Sequence, residues 1–306
     1  MNIINVMVTI GALVSLYIFA VHKFTKQIEQ IEGKRLHGVL TSLTSDPIRG
    51  TVFGTITAAL LQSSTATIVA TQSLVDAGVL SFAASVPIVF GANLGSVITS
   101  QLIAFNFTYV AAYIMLLGLL VSRLHAFKTF SKPVFYFGLI FFALSLITLY
   151  VEPIRSNQTI ISLVSHISSL PVAILFGLAI TVLFQTSSVA TGLSLVLVGS
   201  SVLNFHQGIG ILLGAGIGST STAFIASLVM NKFAKRTAVA HFLYNLLAVI
   251  IFLPFSAVLL NFVQSAGGTA VQQVANAYTL FNLLSVVVFL IFLEPFTELV
   301  SRLVKS

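Results

Sequence analysis

Gln62-Ser63-Ser64-Thr65 lies inside a long apolar run, and the same chemistry returns at Gln185-Thr186-Ser187-Ser188. Amide and hydroxyl groups are costly to bury in an apolar segment unless they are paired or used. Each copy is followed by a polar, glycine-rich patch. The first is Gly91-Ala92-Asn93-Leu94-Gly95-Ser96 and the second is Gly214-Ala215-Gly216-Ile217-Gly218-Ser219. The spacing is constant (185 − 62 and 214 − 91 both give 123). Gly, Ala, Gly, Ser and Thr match at 91/214, 92/215, 95/218, 96/219 and 99/222. One such cluster alone reads as small-residue helix packing. Two pairs, repeated in order at one offset, read as a duplicated transport unit with polar breaks in its helices.

The surroundings fix the solvent. Of 306 residues, 57% are hydrophobic and 7% are charged, whereas soluble domains carry about 25% charged residues. Mean hydropathy is +1.08. The apolar runs are continuous and do not alternate, which disfavours a β-barrel. At about 20 residues per span they allow roughly eight to eleven helical elements, some of half length. The net charge of +7, from 14 Lys+Arg against 7 Asp+Glu, sits in short connections. That distribution sets membrane topology and forms no stripe for nucleic acid. There is no cysteine, so thiolate chemistry and Cys-ligated metals are excluded. Met1 to Ala20 lacks a basic n-region and reads as a retained span.

In order, residues 1–49 read as a first transmembrane helix, at about 3–22, followed by an amphipathic cytoplasmic segment carrying Lys23, Lys26, Lys34, Arg35 and Arg49. Residues 50–132 form a first transport repeat, 133–169 a connecting span, and 170–306 a second repeat with C-terminal spans. Further spans are expected at about 108–122, 133–151, 237–262 and 274–297. The positive-inside rule assigns the basic connections at 23–49, 123–132, 232–236 and the C-terminus to the cytoplasm. The charge-poor connections near 106, 152–169 and 264–273 go outside, which leaves the N-terminus outside. The first repeat then enters from inside and the second from outside. The fold expected is an all-α, polytopic protein of the cell membrane, with two inverted-topology repeats and re-entrant or unwound helices at mid-membrane.

Interrupted helices bring their own ligands. N–H groups at a half-helix N-terminus suit an anion, and carbonyls at a half-helix C-terminus suit a small hard cation. Hydroxyls donate and accept, and Gln supplies both an amide donor and a carbonyl. Such a site binds an oxyanion beside Na+ without an intramembrane Arg or Lys, and neither repeat core contains one. Gln62, Ser63, Ser64, Thr65, Gln185, Thr186, Ser187 and Ser188 are the expected substrate ligands. Asn93, Ser96, Thr99, Ser219, Thr220 and Thr222 supply oxygens fit for a hard cation. The patch glycines permit close backbone approach and unusual dihedrals.

These stretches resemble the sodium-dependent phosphate cotransporter family, the type II sodium/phosphate kind with bacterial members. Its hallmark is a duplicated Gln-Ser-Ser-Ser-Ala-Thr stretch, each followed by Gly-Ala-Asn-Ile-Gly-Thr-Thr. Gln62 to Thr67 and Gly91 to Ser96 are close to the first pair, and Gln185 to Ser188 and Gly214 to Thr220 are similar to the second, with Gly216 where Asn93 has its counterpart. Ala238 to Asn245 is similar to the family's Ala-x-x-His-x-x-x-Asn element. Ala277 to Asn282 is similar to Ala-His-Thr-x-Phe-Asn, with Tyr278 at the His position. The resemblance covers about residues 35–297. It implies import of inorganic phosphate coupled to Na+, by alternating access of one repeat-bearing bundle against the other, with phosphate cradled between the two Gln-Ser/Thr clusters. It further implies no cofactor beyond Na+ as coupling ion, a member without the C-terminal PhoU-like domain, and an open oligomeric state, a homodimer being one arrangement.

Na+- or H+-coupled carriage of another small anion stays open, as does an ion channel with the same inverted-repeat pore. An enzyme does not fit, because no Gly-x-Ser-x-Gly elbow and no His/Asp/Glu cluster occurs. His241 and Asn245 lie one turn apart on one helix face and read either as an interhelical hydrogen bond or as a polar pair near the site. Asp76 reads as a solvated turn residue or a cation ligand. His22, His37, His125, His166 and His206 fall at membrane edges and read as interfacial.

Overall fold

A computed structural model describes residues 3–40, 46–105, 110–124, 127–151, 158, 162 and 165–304, and every regular element among them is helical. In chain order these are α1 (Ile3–Leu40), α2 (Pro47–Leu61), α3 (Ser64–Asp76), α4 (Phe82–Ala104), α5 (Ala111–Val121), α6 (Lys128–Val151) and α7 (Leu170–Phe184). Then follow α8 (Ser187–Gly199), α9 (Phe205–Ser227), α10 (Lys232–Phe252), α11 (Ser256–Ser265), α12 (Ala270–Ile291) and α13 (Leu293–Leu303). Among the described residues, six stretches are long and apolar enough to cross a membrane. The chain is a multi-pass membrane protein.

The spacing read from the sequence reappears in the helix bounds. Pro47–Leu61 returns as Leu170–Phe184, Ser64–Asp76 as Ser187–Gly199, and Phe82–Ala104 as Phe205–Ser227, every bound displaced by the same 123 residues. The candidate spans Asn5–Ile28 and Lys128–Val151 are displaced equally. The recurring unit therefore reaches back to the helix that precedes each polar cluster. The stretch expected as a connecting span holds most of α6, the counterpart of α1.

Within each unit the first two short helices form a hairpin. Asp46 starts α2, its carboxylate accepting from Ile48 N–H at 2.8 Å with Pro47 in the first turn. α2 and α4 run in the same direction. Gly50 lies beside Pro87, Gly54 beside Ile88, Gly91 beside Thr51 and Gly95 beside Thr55. A Cβ on Gly54, Gly91 or Gly95 would collide with the facing backbone carbonyl. α3 reaches the start of α4 through a short turn, and Leu74, Val75 and Leu80 pack with Ile88. Both feet of the α2–α3 hairpin thus stand where α4 begins, and its tip is Gln62-Ser63. In the second unit Gly177, Gly214 and Gly218 meet the carbonyls of Ile211, Ile174 and Leu178 in the same register.

The glycine patches are therefore not helix breaks. Both lie inside continuous helices, α4 and α9, and the four glycines Gly91, Gly95, Gly214 and Gly218 keep ordinary helical dihedrals. Their function is to let two backbones touch. Other expectations shift for local reasons. α1 runs unbroken to Leu40, because between residues 22 and 40 there is no proline, and the two glycines, Gly33 and Gly38, are isolated. α5 is shorter than the expected 108–122. The long span expected at 237–262 starts at Lys232 and is interrupted at Leu253–Phe255, where Pro254 cannot continue the α-helical ladder. The last span stops at Ile291, and α13 is a separate amphipathic helix with Phe296 and Val300 buried and an exposed Arg302–Glu298 pair. Glu152, Pro153, His37 and His125 lie outside the residues or side chains described.

Contacts between the units fix their relative sense. Asp76, at the end of α3, accepts from Asn231 N–H at 2.6 Å, and Asn231 Nδ2 donates to the Asp76 carbonyl at 2.8 Å. Gln72 Nε2 donates to Ala223 O at 3.2 Å. α9 thus ends where α4 begins. Phe24 of α1 packs on Phe137 of α6 at 5.7 Å, while Tyr17 and Leu144 both lie against Gly192. Residue numbers fall along α6 as they rise along α1, so these counterparts are antiparallel neighbours.

Candidate functional site

Both hairpin tips are built on one unusual backbone residue. Gln62 has φ 50° and ψ 30°, and Gln185 has φ 54° and ψ 25°. Non-glycine residues rarely adopt this left-handed conformation, which normally recruits glycine at the end of a helix. Glutamine at both positions implies that the side chain is used. At the first tip it is engaged at both ends: Gln62 Nε2 donates to Ala59 O at 2.7 Å, and Thr99 Oγ1 donates to Gln62 Oε1 at 2.9 Å. Ser63 then begins α3, its Oγ accepting from Ala66 N–H at 3.1 Å.

The second tip is left more open. Thr186 takes the same extended dihedrals as Ser63 but makes no capping hydrogen bond. The counterpart of Thr99 is Thr222, whose Oγ1 is buried without a partner. α1 braces this tip from the side. Tyr17 donates its hydroxyl to Ser188 O at 2.6 Å, in room left by Gly192.

The tips meet in one cavity of about 450 Å³. Its wall contains all eight expected substrate ligands, Gln62, Ser63, Ser64, Thr65, Gln185, Thr186, Ser187 and Ser188. The N-termini of α3 and α8 both open here, so each hairpin supplies hydroxyls and the positive end of a helix dipole. Tyr278 closes part of the wall, its hydroxyl facing Ser96.

The expected cation ligands divide. Ser96, Thr99 and Thr222 line the cavity; Asn93, Ser219 and Thr220 do not. Asn93 is buried and donates to Val89 O at 2.9 Å, while Ser219 and Thr220 donate to carbonyls of their own helix at 2.7 Å. They lie on helix faces turned toward protein. Ser96 donates its proton to Asn93 O at 2.6 Å, which leaves its oxygen to act as an acceptor toward Tyr278 and the cavity. Among the described residues no group of three or more His, Cys, Asp or Glu could hold a metal.

Three sequence readings are refined. Asp76 is exposed at the end of α3, as a solvated turn residue is, and its carboxylate in addition holds the N-terminus of α10. His241 and Asn245 do not pair through their side chains: Asn245 Nδ2 donates to the His241 carbonyl at 3.0 Å, and both His241 ring nitrogens are buried without a partner. Asn245 instead fills the gap left at Gly216, its Oδ1 standing 3.1 Å from where a Cβ there would be. The asparagine absent from the second patch is thus replaced in space by one from α10.

The sequence reading missed Thr191, Tyr278 and the α1 residues Val21, His22, Thr25 and Lys26, all of which line the cavity. Thr191 was findable, one helical turn beyond Ser187 on the same face. His22 and Lys26 show the same spacing, but nothing local ties α1 to the hairpins.

The family described as Na+/Pi-cotransporter matches residues 16–148 and again 156–294, one match around each hairpin. The chain is 28% identical over 274 residues to protein YqeW of Bacillus subtilis, covering 89% of both. It is 24% identical over 246 residues to a putative inorganic phosphate export protein, YjbB of Escherichia coli, covering 79% of this chain and 45% of that one. Over 83 residues it is 37% identical to sodium-dependent phosphate transport protein 2C of Rattus norvegicus, 26% of this chain and 14% of that protein. No solved structure matches significantly.

Proposed function

We infer that this chain, which belongs to the Na+/Pi-cotransporter family and so to a transporter family and not an enzyme family, carries inorganic phosphate coupled to Na+ through the cavity between its two hairpin tips. The observation that carries this reading is the convergence of Gln62 to Thr65 and Gln185 to Ser188, 123 residues apart in sequence, on one cavity. A tetrahedral oxyanion needs several donors from several directions. Two opposed helix N-termini with their hydroxyls provide them without a buried counter-charge. In this reading Ser96, Thr99 and Thr222, whose hydroxyls line the same cavity, supply oxygens to Na+ beside it.

In the cell membrane, the hairpins would enter from opposite faces. The opposite senses of α4 and α9, and of α1 and α6, support this, as do the basic residues Lys232, Lys235 and Arg236 at the Asp76 end. An inward Na+ gradient then drives import. Coupling requires that Na+ and phosphate favour the same closed state, so each raises the affinity for the other.

The test is flux in proteoliposomes. Labelled phosphate should accumulate with an inward Na+ gradient and saturate with concentration. Equal uptake in choline would exclude Na+ coupling. Uptake of other oxyanions but not phosphate would reassign the substrate, and non-saturating conductance to a single ion would indicate a channel.

A further inference from the structure

Lys26 is the one formally charged side chain in the cavity wall among the described residues, and His22 lies one turn before it on the same helix. Both are exposed. Tyr17, Val21 and Phe24 form the buried side of α1, with Phe24 against Phe137 at 5.7 Å. Phe19 is half exposed against Tyr136, and Lys23 lies over its ring at 5.4 Å. His22 and Lys26 reach the cavity wall, and Lys23 does not line it. The described ion pairs, Arg49–Asp46 and Arg302–Glu298, do not involve Lys26, and among the described side chains no acidic residue lines the cavity.

The placement is one-sided. Tyr17 and Val21 reach the level of the tips, contacting Ser188 and lining the recess with Gln62. Lys26 lies beyond them toward the end where α2 and α4 begin. The cavity follows α3 the same way, through Ala66 and Val69. At the equivalent positions of the other unit, 123 residues on, stand Ser145, Thr148 and Leu149. Among the described residues, the α1 positions at the cavity carry a cation and their counterparts in α6 carry none.

We propose that His22 and Lys26 form a basic mouth that raises the affinity of the cavity for phosphate on the cytoplasmic face, the side from which a reversible carrier loads when the Na+ gradient is reversed. This rests on the reading of the cavity as a phosphate site and adds to it the residues that collect the anion, on one side only. A charge in a low-dielectric cleft concentrates an oppositely charged solute and speeds its association, an effect that salt weakens. Once in the cavity the anion leaves the mouth for the uncharged hairpin tips. Lys26 thus governs capture and not the maximal rate.

The experiment measures phosphate flux in proteoliposomes sorted by orientation, at low and high ionic strength, for the unaltered protein, Lys26→Gln and Lys26→Arg. Lys26→Gln should raise the half-saturating phosphate concentration by about three- to tenfold from the cytoplasmic face at low salt. The rise should shrink at high salt and be absent from the opposite face, with the maximal rate kept. Lys26→Arg should behave as the unaltered protein. A lysine that only anchors α1 at the lipid headgroups would leave half-saturation unchanged in Lys26→Gln, and that result overturns the proposal. Equal rises from both faces would also overturn it. If the unaltered protein carries no phosphate, the reading of the site fails, a result distinct from either of these.

Discussion

Replacing Gln62 separates the backbone of the tip from its side chain. The left-handed conformation costs a residue with a Cβ about 1–2 kcal/mol, and glycine almost nothing. The side chain contributes two hydrogen bonds, to Ala59 O and from Thr99, at about 0.5–1.5 kcal/mol each. Gln62→Ala keeps the strain and loses both bonds, so it should destabilise the protein by roughly 1–3 kcal/mol. Gln62→Gly loses the same bonds but relieves the strain, and should come out about 1 kcal/mol more stable than Gln62→Ala. Both should lose most phosphate transport, since the amide that lines the cavity is gone. The chain has no tryptophan and seven tyrosines, so unfolding in one detergent can be followed by tyrosine fluorescence beside uptake in liposomes. If Gln62→Ala is as stable as Gln62→Gly, the backbone argument is wrong. If Gln62→Gly transports normally, the amide is not a ligand and the reading of both tips fails.

Three further outcomes are expected. Gly91→Ala and Gly214→Ala each drive a methyl into a facing carbonyl, of Thr51 and Ile174; overpacking costs about 1–3 kcal/mol or more, so both should lower the unfolding midpoint, and an unchanged midpoint would remove the packing role. Tyr17→Phe leaves Ser188 O without its 2.6 Å donor; a loss of about 1–2 kcal/mol should accompany reduced flux, and flux equal to that of the unaltered protein would show that this brace is dispensable. Gly216→Asn should clash with Asn245 and lose activity that the double change with Asn245→Gly recovers in part; failure of that recovery, with the double variant well folded, would show that the two positions do not share one space.

The hairpin tips were legible because polarity in an apolar run is a loud signal and its repetition fixed a register. The patches were read in part: close backbone approach at the glycines is there, with a Cβ on Gly91 colliding with Thr51, and unusual dihedrals are not. Glycine, serine and asparagine look alike in sequence whether they face a cavity or let helices touch, and here Ser96, Thr99 and Thr222 do the first while Gly91 and Gly95 do the second. Asn93, Ser219 and Thr220 were hidden from the cavity for a related reason. Helix faces repeat every 3.6 residues, so a run of adjacent polar residues cannot all point one way. The α1 wall was not legible at all, because Lys26 and Gln62 are brought together by the tertiary path and no motif spans them. Asp76 illustrates the same limit, since its partner Asn231 is 155 residues away.

The ties at Asp76, Gln72 and Tyr17 all cross between the units. The foot of the first hairpin is stitched to the turn between α9 and α10, and the tip of the second is held by α1. The two duplicated halves are therefore interleaved, and neither carries its own hairpin unaided. A rocking motion cannot divide the protein at the boundary between the copies. The rigid parts are composites, each borrowing a hairpin's anchorage from the other half.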